Sequence, residues 1–274
     1  MTSMTALHGT ARSRWMKTTA VAALRTRGLA ALLVVFGTGT AAEVQAQGDT
    51  STQIWGNVTL GHPQSERLYL ELDIEPKFQV SGGERWRNLD VTPLLEFYPK
   101  DWLDLTAEAT VGFTHQFSGL DTFEVTPRIG VRVHLFQNAW EHLPHPERLP
   151  ASRLSLGNLL RLESRHFWYS DDQGSSQEWR LRNRAEAKFA LNRGNLSEDG
   201  TLYLIADAEF YIPLGDDTPE RFSTKFRTRV GLGYRFDYRK RLEFLYIRDS
   251  SRSTLEEDFE QGANIFDFRM KIFF

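Results

Sequence analysis

Four groupings of residues have types and spacing that could do chemistry. Ser164 and His166 stand two apart, and His115 and Ser118 three apart. A serine hydrolase needs its hydroxyl within hydrogen-bond reach of an imidazole, with a third group to orient the base. Residues i and i+2 of a strand share a face, so Ser164 and His166 can meet on an outward face near a rim. Neither pair lies in a recognisable motif, so no catalytic residue is assigned. The run from Trp140 to Glu147 holds Glu141, His142, His145 and Glu147, ligand types suited to zinc or copper. It lacks a known ligand spacing and also reads as a polar turn. No metal and no cofactor is expected. Acidic residues recur at Asp171, Asp172 and Glu178, at Asp216, Asp217 and Glu220, and at Glu256, Glu257, Asp258 and Glu260. Carboxylates there could hold divalent cations that bridge lipopolysaccharide, or they are ordinary solvated loops.

The fourth grouping is the largest. Period-two alternation, which places every second side chain on one face, sorts many charged residues onto a single side of their strands. Glu71, Asp73, Glu75, Asp90, Glu96, Asp104 and Glu108 form an acidic set in the first half of the chain. Arg128, Arg132, Arg161, Arg165, Arg180, Arg182, Arg184, Lys188, Lys225, Arg227, Arg229 and Arg235 form a basic set further on. On the inside of a barrel, two such walls would set up a transverse field. That predicts a narrow, weakly ion-selective channel or a lumen that binds a small anionic solute. The alternative is a closed structural barrel whose Arg and Glu side chains pair and fill the bore.

The elements that must carry these residues are strands. Phe266, Phe268, Met270, Ile272 and Phe274 alternate with Asp267, Arg269 and Lys271, and the sequence closes on an aromatic residue. Such an ending resembles the terminal strand of bacterial outer-membrane β-barrels, which the barrel-assembly machinery reads; Phe274 is the implied assembly signal. The same apolar-polar alternation recurs over 68–80, 88–97, 103–114, 123–135, 154–168, 178–192, 201–213, 221–237 and 240–249, after a short first strand at 54–60. Most of these runs exceed the roughly 5–6 residues of an average soluble strand and match the roughly 9–11 of a tilted membrane strand. Pro93 removes one ladder donor and predicts a bulge. His62–Ser65 reads as a turn, as do Tyr98–Trp102 and Asp237–Lys240. The segments 170–177, 214–220 and 250–262 read as external loops.

Arg25 and Arg27 precede the apolar run 29–36, and Val44-Gln45-Ala46 supplies a small-residue cleavage signature. Residues 1–46 therefore read as a secretory signal peptide, with 47–274 as the barrel and the bacterial outer membrane as its destination. Removing the leader deepens the formal net charge from −3 to −7, which argues against a nucleic-acid partner. There is no cysteine, hence no disulfide framework and no thiolate metal site. Outer-membrane lipid and lipopolysaccharide are the expected surroundings.

Eleven strands are counted. A bacterial single-chain barrel with both ends in the periplasm needs an even number. The expectation is therefore an all-β, antiparallel, up-and-down transmembrane barrel of ten or twelve strands. The mismatch falls on 54–60, either outside a ten-strand barrel or followed by one unrecognised strand. Trp55, the Arg-x-Arg strands at Arg180–Arg184 and Arg227–Arg229, Ala208-Glu209-Phe210-Tyr211 and Arg229-Val230-Gly231-Leu232-Gly233-Tyr234 occur in an order that resembles the bacterial family catalogued as domain of unknown function 2490. The resemblance covers most of 52–274. It implies an outer-membrane barrel and supplies no catalytic residue, substrate or cofactor. An outer-membrane lipid-modifying enzyme is the most distant functional expectation.

Overall fold

The computed structural model describes residues 50–82, 85–117, 119, 121–135, 153–170, 174–215, 225–251 and 261–274. Within them lie eleven strands and no helix: β1 (Ser51–Ser65), β2 (Leu68–Ser81), β3 (Trp86–Lys100), β4 (Leu103–Gln116), β5 (Asp121–Leu135), β6 (Leu154–Tyr169), β7 (Ser175–Ala190), β8 (Thr201–Leu214), β9 (Lys225–Asp237), β10 (Lys240–Ser251) and β11 (Gln261–Phe273). Each strand pairs antiparallel with its sequence neighbours, and β1 pairs with β11, so the sheet closes on itself. Closure leaves no row of unpaired edge amides.

The closing pair is parallel and runs from Ser51↔Ala263 to Gly61↔Phe273. This corrects the expected strand number and pairing. Up-and-down connections reverse the chain at every step, so with eleven strands the first and last run the same way. An even count is required only when both ends must leave at one rim. The segment 54–60 lies inside the barrel wall, as the middle of a 15-residue strand. Its extension reaches Ser65, so the expected turn at His62–Ser65 is strand, and the chain reverses at Glu66–Arg67 instead. Pro93 causes no shift: the β3–β4 ladder lapses at Thr92 and Pro93 and resumes at Leu94↔Glu108 in unchanged register. Register shifts fall elsewhere, in the first and last residues of β1 and near the ends of the β3–β4 and β9–β10 pairs.

Alternation decides which side chain goes inside. In β4, Asp104, Thr106, Glu108 and Thr110 are buried, whereas Leu105, Val111 and Phe113 are exposed. In β8, Tyr203, Ile205, Asp207, Glu209 and Tyr211 point inward and are buried. Inward glycines make room for large neighbours. A Cβ at Gly130 would stand 2.8 Å from Arg161 Cγ. At Gly233 a Cβ would stand 2.2 Å from the ring carbon that bears the Tyr203 hydroxyl, which reaches over β9 to donate to Glu243 Oε1 at 2.9 Å. Gly233→Val should therefore destabilise the barrel by about 1–3 kcal/mol through overpacking. Urea unfolding in detergent micelles measures this, and an unchanged midpoint would contradict the close packing.

Candidate functional site

The interior is the densest concentration of chemistry-bearing side chains in the described residues. Its centre is a lattice of carboxylates and guanidiniums. Glu163 on β6 meets Arg128 at 3.1 Å, Arg182 at 2.7 Å, and Arg180. Glu209 on β8 meets Arg182 at 2.6 Å, Arg229 at 2.7 Å and Arg161 at 3.3 Å. Glu108 on β4 meets Arg161 at 2.9 Å and Arg128 at 3.2 Å. Asp207 takes a second bond from Arg229 at 2.6 Å. Arg161 therefore spans from β4 to β8 and ties together strands that do not touch in the sheet. Charge-assisted bonds of this kind are about twice as strong as neutral ones, and a charge taken out of water requires them.

Toward the end where β1 begins, Asp249 holds Arg227 at 2.6 Å and Lys225 at 2.9 Å. Arg165 bonds Glu124 at 2.9 Å and Glu178 at 3.2 Å. Four cations surround the Tyr211 ring: Arg182, Arg180, Arg227 and Lys225 lie 4.6, 5.0, 5.5 and 5.8 Å from its centroid. Trp55 on β1 sits between Lys77 and Arg227, at 4.7 and 5.0 Å, and bridges the bore from the other side. Lys77 in turn bonds Glu75 and Asp90 at 2.7 and 2.6 Å.

Toward the opposite end, Arg132 meets Glu96 at 3.1 Å and Asp104 at 3.2 Å. Glu96 accepts from Tyr98 at 2.6 Å, Glu71 from Tyr69 at 2.8 Å, and Asp73 from Thr59 at 2.5 Å. Arg184 and Lys188 lie 4.0 and 3.3 Å from Glu186. Beside this charged volume runs an apolar one, in which Trp55, Tyr203, Ile205, Leu245, Ile247, Ala263 and Ile265 are buried together.

The acidic and basic sets read from the sequence are thus brought into direct contact at Glu108–Arg128, Glu108–Arg161 and Glu96–Arg132. The acidic set read from the sequence leaves out Glu163, Asp207, Glu209, Glu243, Asp249 and Asp267, all buried on the inner side. Glu163 lies between Arg161 and Arg165 in the same parity, so alternation alone could have placed it. With these carboxylates counted, most of the basic side of the bore has acidic partners close by.

A family model described as a protein of unknown function, DUF2490, matches residues 52–260. The chain belongs to this family. The match starts one residue into β1 and ends just before β11, the strand that closes this DUF2490 barrel. Comparison with curated proteins finds no match, and comparison with solved structures finds none.

Of the smaller candidates, Ser164 and His166 are hydrogen bonded, 3.0 Å apart, on the outer face of the DUF2490 barrel. His115 pairs with Asp121 at 2.6 Å, while Ser118 lies outside the described residues. So do the Trp140–Glu147 cluster, the leader and every acidic-loop residue named above except Glu178. Among the described residues, no group of three or more His, Asp or Glu could hold a metal ion. Phe274 packs its ring on His62, with centroids 5.4 Å apart, and its amide donates to the Gly61 carbonyl at 3.0 Å.

Proposed function

We propose that this protein is an integral outer-membrane β-barrel whose bore is closed by its own ion-pair lattice, so that it works from its wall and rims rather than by passing solutes. The observation that carries the reading is the burial of inward side chains at mid-depth. Thr106, Glu108, Arg161, Glu163, Glu209 and Arg229 are all buried. A water-filled path along the axis would expose them. This favours the closed alternative over the narrow porin.

The membrane part of the reading is supported by the outer surface. Leu95, Leu105, Ile129, Leu160, Leu232 and Phe268, from six strands around the wall, are exposed. Apolar surface this continuous is foreign to a water-facing protein. Outward aromatics gather toward both strand ends, with Trp102, Phe236 and Tyr238 at one and Phe123, Trp168 and Trp179 at the other. Two such girdles are what the two interfaces of a bilayer select. Outer-membrane lipid and lipopolysaccharide would cover the wall, and the barrel-assembly machinery would read Phe274.

A planar-bilayer recording of the full chain tests the closed bore. The expected result is no discrete conductance from protein shown to be folded. Steps with a reversal potential under a salt gradient would restore the porin reading. A second reading rests on the cations around Tyr211, since the side chains of Lys225 and Arg180 keep partial solvent contact. There a small anion could dock at the mouth without entering the bore. Calorimetric titration with inorganic phosphate, lost in Lys225→Ala, tests it.

A further inference from the structure

The outer face of β6 and β7 carries a polar trio where lipid contact calls for none. Alternation turns the even-numbered residues of β6 outward, and Leu160 and Trp168 on that face are exposed. Ser164 and His166 share it. Ser164 Oγ lies 3.0 Å from His166 Nε2. Gln177 on β7, directly opposite His166 in register, places its Nε2 3.2 Å from the same Ser164 Oγ.

We propose that Ser164, His166 and Gln177 form a serine acyl-hydrolase site that cleaves carboxylic esters of membrane glycerophospholipids at the barrel wall. The proposal rests on the reading of that wall as lipid-facing. An amide nitrogen only donates, so at Gln177 the serine oxygen is the acceptor. With the imidazole protonated on Nδ1, the serine's own proton points into His166 Nε2, the polarity a general base requires. Asn158 and Asn183 make the contrast on the same two strands. Their amides donate to each other at 3.0 and 3.3 Å, which satisfies them without a nucleophile or a base. A polar group facing lipid needs only that much. The serine–imidazole pair supplies more.

The surroundings suit an acyl chain. Trp168 stacks on the His166 ring at 6.4 Å and meets Phe123 at 5.6 Å, and Trp179 is the register partner of Ser164. An acyl chain lying along these rings brings its ester to the trio. Ser164 is 6% exposed while Gln177 is exposed. When the Gln177 amide moves from the hydroxyl to the ester's carbonyl oxygen, it uncovers the nucleophile and meets the oxyanion as charge develops. Ser164 Oγ then bonds to the carbonyl carbon as His166 takes its proton. The bond to the lipid's alcohol oxygen breaks, and that oxygen leaves with the proton from His166. Water, deprotonated by His166, adds to the acyl-serine; the bond to Oγ breaks and Oγ recovers the proton. Ester and water become fatty acid and lysolipid.

The test uses the full chain, folded in detergent micelles and checked by its heat-dependent gel mobility. Fluorophosphonate should attach to Ser164. Mixed micelles of dioleoyl phosphatidylethanolamine should release fatty acid. Ser164→Ala and His166→Asn should each lower that release about 10³-fold or more. Gln177→Ala should lower it about 10²-fold. Folded protein that neither labels at Ser164 nor exceeds Ser164→Ala in release overturns the site. Flotation with phosphatidylethanolamine–phosphatidylglycerol vesicles separates the two failures. Protein that floats yet stays inert refutes the hydrolase alone; protein that folds but does not float refutes the lipid-facing wall and the hydrolase with it.

Discussion

Glu209→Ala is expected to lower the unfolding free energy of the barrel by about 3–5 kcal/mol, the cost of removing one partner from a buried ion pair. Glu209 is 0% exposed and receives Arg161, Arg182 and Arg229 from three different strands. Asp207 still holds Arg229, Glu163 still holds Arg182, and Glu108 still holds Arg161. No guanidinium is abandoned outright, but three buried cations are left to three carboxylates, two of which, Glu163 and Glu108, already serve other arginines. Glu178→Ala is the control. That carboxylate also bonds an arginine, Arg165, but its side chain is 58% exposed, and a pair in water is worth about 0–1 kcal/mol. Urea unfolding of both variants in detergent micelles gives the comparison. Equal, small losses would mean that the lattice does not hold the interior together.

The same lattice shows where sequence reasoning reaches and where it stops. A strand's period of two is a local property, so the inward placement of Arg128, Arg161, Arg182, Arg229, Glu96 and Glu108 can be read directly from the chain. Which of them meet cannot. Arg161 reaches Glu209 because the sheet closes and its strands are staggered, and both follow from pairings between residues far apart in sequence. A picture of opposed acidic and basic walls came from sorting charges by strand. Glu163 lies between two arginines of β6, and Glu209 lies on β8, a strand outside both walls; such a sort loses them, although their parity was legible. The strand count was legible too. The expected even number came from a rule about where chain ends lie, and the parallel β1–β11 ladder shows that closure itself does not impose it. The Ser164–His166 pair could be placed on one face by spacing alone. Gln177 could not, because only the β6–β7 register sets it opposite His166.

Whether the wall faces lipid can be decided by one substitution at mid-barrel. Ile129 lies in the middle of β5, points outward and is 63% exposed. Its neighbours across the pairs are Ala107 and Leu162, so the surrounding patch is apolar. In a bilayer, Ile129→Arg should cost about 2–4 kcal/mol, because a guanidinium near the midplane must give up water or distort the lipid around it. If the wall met water, the same change would fall within about 0.5 kcal/mol of neutral, as exposed substitutions away from caps and buried networks do. Equilibrium unfolding in phospholipid vesicles measures the difference. Lys100→Ile serves as the reciprocal variant, at a strand end where a bilayer's interface would lie and where little change is expected. A neutral Ile129→Arg would remove the membrane from the account of this barrel and leave its apolar wall to be covered by protein. A large loss at Ile129 with none at Lys100 would give the depth dependence that only a lipid slab imposes.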